Sequence, residues 1–195
     1  EHGKLSWLGT EKPFDFARRW ALVRDYSFIA GLFIWTGFDY LGEPTPYDTD
    51  SWPNHSSVFG IIDLASIPKD RFWLYRSQWR KDSPTLHLVP HWTWPGHEGE
   101  NIPVVAYSSF DKAELFVNGV SQGIAVKAAP SGVSADPTHP APIASDTELM
   151  RRFRLIWPDV IYQSGELKVV AYGPDGKPAA EQVVRTAGKP YALKL

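Results

Sequence analysis

From Phe28 to Trp35 the chain runs for eight residues without a charge, and directly after Trp35 it turns polar and is broken repeatedly by Gly and Pro. An uncharged run rich in Phe and Ile, too short to span a bilayer, predicts a strand buried on both faces, as in parallel sheets covered by helices. Ahead of it, Thr10, Glu11 and Pro13 mark a helix start. Phe16, Trp20 and Val23 then share one face while Arg18, Arg19 and Arg24 share the other, so a helix is predicted over 11–25. Helix, short turn and strand form the αβ half of a βαβ unit. From Thr36 to Ser57, Gly37, Gly42, Pro44, Pro46 and Pro53 predict a loop of the length that usually marks a functional surface. A second apolar run, Val58 to Leu64, leads through Ile67-Pro68-Lys69 into a helix on which Phe72, Tyr75 and Trp79 recur, ending near Arg80.

After Lys81-Asp82-Ser83-Pro84 the period changes from helical to alternating, which divides the chain into 1–83 and 84–195. The second part predicts strands at Leu86–Trp92, Ile102–Ser109, Ala113–Val117, Phe153–Trp157, Glu166–Tyr172, Glu181–Thr186 and Tyr191–Leu195. Asn118-Gly119 marks a tight hairpin. That series predicts an immunoglobulin-like sandwich. Ala125 to Thr147, rich in Pro, Ser, Ala and Asp, reads as a long irregular insertion.

Composition narrows the partners. The net charge of -2, the pI near 6.3 and the lack of any Lys/Arg run provide no footprint for nucleic acid or an anionic membrane surface. The absence of Cys excludes disulfides, thiolate nucleophiles and Cys-ligated zinc. It leaves the compartment open; a periplasmic or secreted bacterial protein is the expectation. The chain begins at Glu1 with no signal-peptide pattern behind it, which suggests a piece of a longer protein. Nine Trp, eight Tyr and ten Phe fit either a bulky core or flat platforms for sugar rings.

Loops leaving the C-terminal ends of parallel strands carry binding groups in α/β folds, so Trp35 to Tyr47 is the candidate binding stretch. Asp39 and Glu43 stand closest to Trp35 as a tempting carboxylate pair, although Asp in turns most often satisfies its own backbone. Asp63 and Asp70 read as turn or cap residues. His55, beside Asn54, either faces the pocket or is an exposed loop residue. His87 and His91 are four apart, which on a strand rising about 3.3 Å per residue separates them by ~13 Å, too far to share an ion. No zinc, phosphate-loop or nucleophile-elbow pattern is present.

The strings WTGFDYLGEPTPY (Trp35 to Tyr47) and SSVFGIIDLASIPKDRFWLYRSQW (Ser56 to Trp79) resemble, in order, the C-terminal end of the catalytic barrel of glycoside hydrolase family 2 β-galactosidases. ELFVNGVSQG (Glu114 to Gly123) and ELKVVAYGPDGKPA (Glu166 to Ala179) resemble the immunoglobulin-like domain that follows that barrel. The resemblance implies that 1–83 is the last segment of a (β/α)8 barrel and that Gly31–Trp35 is its eighth strand, with Trp35 beneath the sugar in the innermost subsite. Asp39, Glu43 and His55 become further candidates for the pocket wall. A retaining glycosidase needs two carboxylates roughly 5.5 Å apart. By the resemblance both are Glu residues on earlier strands, expected upstream of Glu1, so none of the catalytic residues is assigned here. The same resemblance implies a carbohydrate substrate and a missing N-terminal part of the enzyme as partners, leaves homo-oligomerisation open, and allows a magnesium or sodium ion for which no ligands are identifiable. The chain by itself is expected to be inactive. β-Glucuronidase and β-mannosidase are alternatives within the family. From a different class, a non-catalytic carbohydrate-binding or adhesion module would use Trp92, Trp94 and Tyr107 as an exposed platform. In a third reading the sandwich only braces the barrel's flank.

Overall fold

A computed structural model describes residues 14–42, 56–129, 146–190 and 192 of the 195-residue chain. In order it contains α1 (Phe14–Asp25), α2 (Asp70–Trp79), β1 (Leu86–Val89), β2 (Val104–Ser108), β3 (Lys112–Val117) and β4 (Val120–Val126). These are followed by α3 (Asp146–Phe153), β5 (Arg154–Trp157), β6 (Glu166–Tyr172) and β7 (Pro178–Arg185). The strands form two antiparallel sheets, β1-β2-β5 and β4-β3-β6-β7.

Alternation explains how the sheets meet. On β3 and β6 every second residue is buried, and the register places Ala113 opposite Ala171, Leu115 opposite Val169 and Val117 opposite Leu167. These side chains pack with Val104 and Ala106 of β2 and Leu155 and Trp157 of β5, which makes the element a β-sandwich. One end is closed by Trp92 and Tyr162, whose rings meet edge-on with centroids 5.0 Å apart. The Trp92 indole N–H donates to the Gln163 carbonyl at 3.0 Å, so its polar atom is satisfied although the residue is fully buried.

β2 departs from alternation because all five of its residues are buried. Val105 and Tyr107 point away from the sandwich and are covered, with Val89, by Ala17 and Ala21 of α1, Leu74 of α2, and Leu149 and Phe153 of α3. The three helices thus lie on the outer face of the three-stranded sheet. Arg152 of α3 donates from one guanidinium nitrogen to both oxygens of Asp25, at 2.7 and 2.8 Å. This also offsets the unfavourable position of an acid at the C-terminal end of α1. Residues on either side of position 83 therefore share one apolar cluster.

Several expectations are corrected. The predicted strand Phe28–Trp35 is absent: the run has no ladder partner among the described residues, and Phe28, Phe33 and Trp35 are exposed. A strand buried on both faces needs neighbours on both edges and layers above and below, which the described residues do not supply. The second apolar run, Val58–Leu64, contributes only isolated bridges. On α1 the buried stripe runs through Ala17 and Ala21, with Trp20 and Val23 half-buried, because small side chains let the helix approach the sheet closely. The Asn118-Gly119 turn has positive φ at both residues, 49° and 81°, as a type I′ hairpin requires. Its return strand β4 runs into the stretch expected to be irregular, and α3 occupies the end of that stretch. Residues 130–145, Tyr191 and 193–195 lie outside the described residues, as does the expected helix start at Thr10.

Candidate functional site

The segment after Trp35 is built from cross-links to residues 57–62 rather than from a regular element. Thr36 N–H donates to Phe59 O at 3.2 Å, Ile61 N–H to Thr36 O at 3.0 Å, Ile62 N–H to Gly37 O at 3.1 Å, and Asp39 N–H to Ile62 O at 2.9 Å. Ser57 N–H returns a bond to Tyr40 O at 2.9 Å. Two irregular segments thereby lie side by side, joined by these backbone hydrogen bonds. Gly60 sits where they approach most closely: an added Cβ would fall 2.2 Å from Asp39 N, 2.3 Å from Phe38 C and 2.6 Å from Ile62 O. All three are backbone atoms, so only glycine fits.

Asp39 lies at the centre of this arrangement, and its side chain is almost wholly buried. Its Oδ1 accepts the Gly60 N–H at 2.8 Å and the Lys69 ammonium at 2.7 Å. Lys69 Nζ also donates to Val58 O at 3.2 Å, while its backbone N–H donates to Ile61 O at 2.9 Å. Lys69 is the residue that precedes α2. One ion pair therefore ties the Trp35 segment, the Gly60 segment and the start of α2 together, and the buried carboxylate is compensated by a charge and a hydrogen bond.

Trp35 stands at the edge of this bundle with 71% of its surface exposed. Its indole N–H donates to the Tyr40 hydroxyl at 3.1 Å, and the two rings meet edge-on at 6.4 Å and 86°. The Trp35–Thr36 peptide is cis. The result is a broad aromatic surface that is open to solvent yet fixed by its polar atom.

Of the sequence-level candidates, the structure brings Trp35 and Asp39 into one bundle, Trp35 outward and Asp39 inward. Glu43 and His55 lie outside the described residues. Asp63 closes a turn, its Oδ1 accepting the N–H groups of Ala65 and Ile67, both at 2.8 Å. Asp70 begins α2, where a negative charge suits the helix dipole. His87 stacks on Trp73 and His91 on Trp94. The platform of Trp92, Trp94 and Tyr107 is not formed. Trp92 and Tyr107 are core residues, 0% and 5% exposed, because β2 is covered on both faces and Trp92 plugs the sandwich end.

Lys69, Gly60 and Tyr40 are the members that sequence reading missed. Gly60 carried a signal, a glycine inside an apolar run where backbones can approach closely. Lys69 and Tyr40 carried none, since their partners lie in irregular loops that have no period. A shallow cleft of about 210 Å³ lies against α2, lined by Ile61, Phe72, Tyr75, Arg76, Trp79 and Arg80. Its guanidinium groups are already engaged, Arg76 with Ser83 and Thr85 and Arg80 with Asp82. Among the described residues, no cluster of three or more His, Asp or Glu side chains is placed to hold a metal ion.

Residues 99–180 match a family model described as a domain of unknown function, DUF4982. The chain is 45% identical over 175 residues to the β-galactosidase BoGH2A of Bacteroides ovatus, covering 89% of this chain and 17% of that protein. It is 41% identical over 105 residues to a putative β-glucuronidase of Formosa agariphila, covering 53% of this chain and 10% of that one. A crystal structure of a β-glycosidase from Bacteroides vulgatus superimposes with a TM-score of 0.67 at 36% identity, over 90% of this chain and 19% of that one. The chain thus spans less than a fifth of the length of each of these relatives.

Proposed function

We propose that this chain, a member of glycoside hydrolase family 2, forms the C-terminal portion of a retaining β-galactosidase acting on terminal β-D-galactosides. In this reading 1–83 is the last segment of a (β/α)8 barrel and 84–195 an immunoglobulin-like domain. Strand order supports the second part. In the immunoglobulin fold strands A, B and E share one sheet and C, F and G the other. Here β1, β2 and β5 take the first set of places and β3, β6 and β7 the second, with β4 beside β3.

The observation that carries the functional reading is Trp35, exposed and anchored through its indole nitrogen. The C–H face of a galactose ring lies flat on such a surface, which excludes water from the anomeric carbon where positive charge develops. Two carboxylates elsewhere in the enzyme perform the bond changes. One attacks the anomeric carbon to form a glycosyl ester while the other protonates the departing oxygen, and water then hydrolyses the ester with the second carboxylate acting as base. Asp39 is a brace in this scheme, since its accepting oxygen is committed to Gly60 and Lys69.

The likeness to a putative β-glucuronidase supports a second reading, in which the sugar is a glucuronide. Both are tested with the full-length protein on p-nitrophenyl β-D-galactoside and β-D-glucuronide, following the product anomer by proton NMR. Preferred turnover of the galactoside with the β-anomer appearing first supports the proposal. Preference for the glucuronide selects the alternative, and initial α-anomer contradicts a retaining mechanism.

A further inference from the structure

We infer that Lys69 and Asp39 are positioning residues for Trp35, acting through Tyr40. This rests on reading Trp35 as the sugar-facing residue, and it assigns a role to a contact that touches no substrate. The physical path is short. Asp39 Oδ1 is gripped by Lys69 Nζ at 2.7 Å and by Gly60 N–H at 2.8 Å, which fixes the backbone from which the next residue, Tyr40, projects. Tyr40 is held a second time through its carbonyl, which accepts the Ser57 N–H at 2.9 Å. Its hydroxyl accepts the indole N–H of Trp35 at 3.1 Å. Trp35 is largely exposed, so packing alone does not set its ring orientation, and that hydrogen bond is its polar restraint.

The location of the charge pair supports this role over a general stabilising one. Lys69 precedes α2 and its backbone N–H also bonds Ile61 O, so the ammonium transmits the position of a helix to a segment with no regular structure of its own. If Lys69 is removed, the buried Asp39 carboxylate keeps the Gly60 N–H but loses its counter-charge. The predicted consequence is a shift of the Asp39–Tyr40 backbone rather than unfolding, because the sandwich core lies elsewhere. Tyr40→Phe should reproduce the effect by removing only the acceptor of the Trp35 bond.

The test uses the full-length enzyme and an aryl β-galactoside. Lys69→Met and Tyr40→Phe should each raise KM by about fivefold while leaving kcat within about twofold, and Lys69→Arg should restore most of the loss. In a Trp35→Ala background, Lys69→Met should change KM by less than about twofold, because the residue through which it acts is gone. Equal losses in both backgrounds would overturn the positioning role. Protein labelled with 5-fluorotryptophan provides a readout independent of turnover, with the Trp35 resonance assigned by its loss in Trp35→Phe. Lys69→Met should move or broaden that resonance more than any other, and an unmoved Trp35 resonance sinks the inference. Failure of the sugar-platform reading looks different: Trp35→Ala would leave kcat/KM unchanged on every aryl β-glycoside, while the fluorine spectrum still reports on the clamp.

Discussion

His87 of β1 lies flat against Trp73 of α2, ring centroids 4.1 Å apart and planes within 10°. Burial in this stack pushes the imidazole down to about 4 from its ordinary value near 6.5. The folded protein thus holds His87 neutral over a range in which the unfolded chain binds a proton, so the unfolded state gains protons as pH falls between about 6.5 and 4. The contribution of this group is complete above about pH 6.5 and is lost as pH drops toward 4. His87→Phe, which keeps the stack and removes the proton, should flatten the fall in urea midpoint across that window. An unchanged slope would place the acid sensitivity elsewhere.

Asp25 and Arg152 join the ends of α1 and α3, and the arginine side chain is 2% exposed. Removing the acid alone strands a buried guanidinium. Asp25→Ala should therefore cost about 3–5 kcal/mol in urea unfolding, and the double change Asp25→Leu with Arg152→Met clearly less. A double variant as unstable as the single one would show that the pair matters for something other than charge compensation.

Gly60→Ala sets a Cβ within 2.6 Å of three backbone atoms that have no way to swing aside. Hydrogen exchange should rise across residues 36–42 and 56–62 while the amides of β2, β3 and β6 keep their protection, because the strain is local to these two paired segments. Unaltered exchange in the loops would mean that they tolerate the added carbon and are looser than the geometry indicates.

If the catalytic carboxylates belong to another part of the enzyme, residues 1–195 alone should not release nitrophenol from a chromogenic β-galactoside at any enzyme concentration that keeps the protein monodisperse. A (β/α)8 barrel takes about 250 residues to close, far more than precede β1. Turnover abolished by Asp39→Asn would move the chemistry onto this chain.

Different parts of the molecule were legible to different degrees, for physical reasons. β3 and β6 are covered on one face, so their alternation is clean and the sequence shows their extents almost to the residue. β4 is an edge strand with most of its side chains in solvent and Gly123 in its middle, so alternation was weak even though the Asn118-Gly119 turn pointed to it. Phe28–Trp35 misled because an apolar run signals burial without saying against what. Among the described residues it has no strand partner, and Phe28, Phe33 and Trp35 are exposed. Trp35 stood out as a bulky residue at a change of pattern, but the contact that fixes it did not. Lys69 and Asp39 are 30 residues apart and meet through loops that have no period to read.

Whether Trp35 forms the floor under the sugar, as proposed, is read from kcat/KM for an aryl β-galactoside with full-length wild-type, Trp35→Phe and Trp35→Ala enzymes. The expected result is a loss of about tenfold or more for Trp35→Ala, equivalent to about 1.4 kcal/mol of transition-state binding, with Trp35→Phe retaining most of the activity. Wild-type activity in Trp35→Ala, with the enzyme folded and the galactoside its preferred substrate, would contradict it.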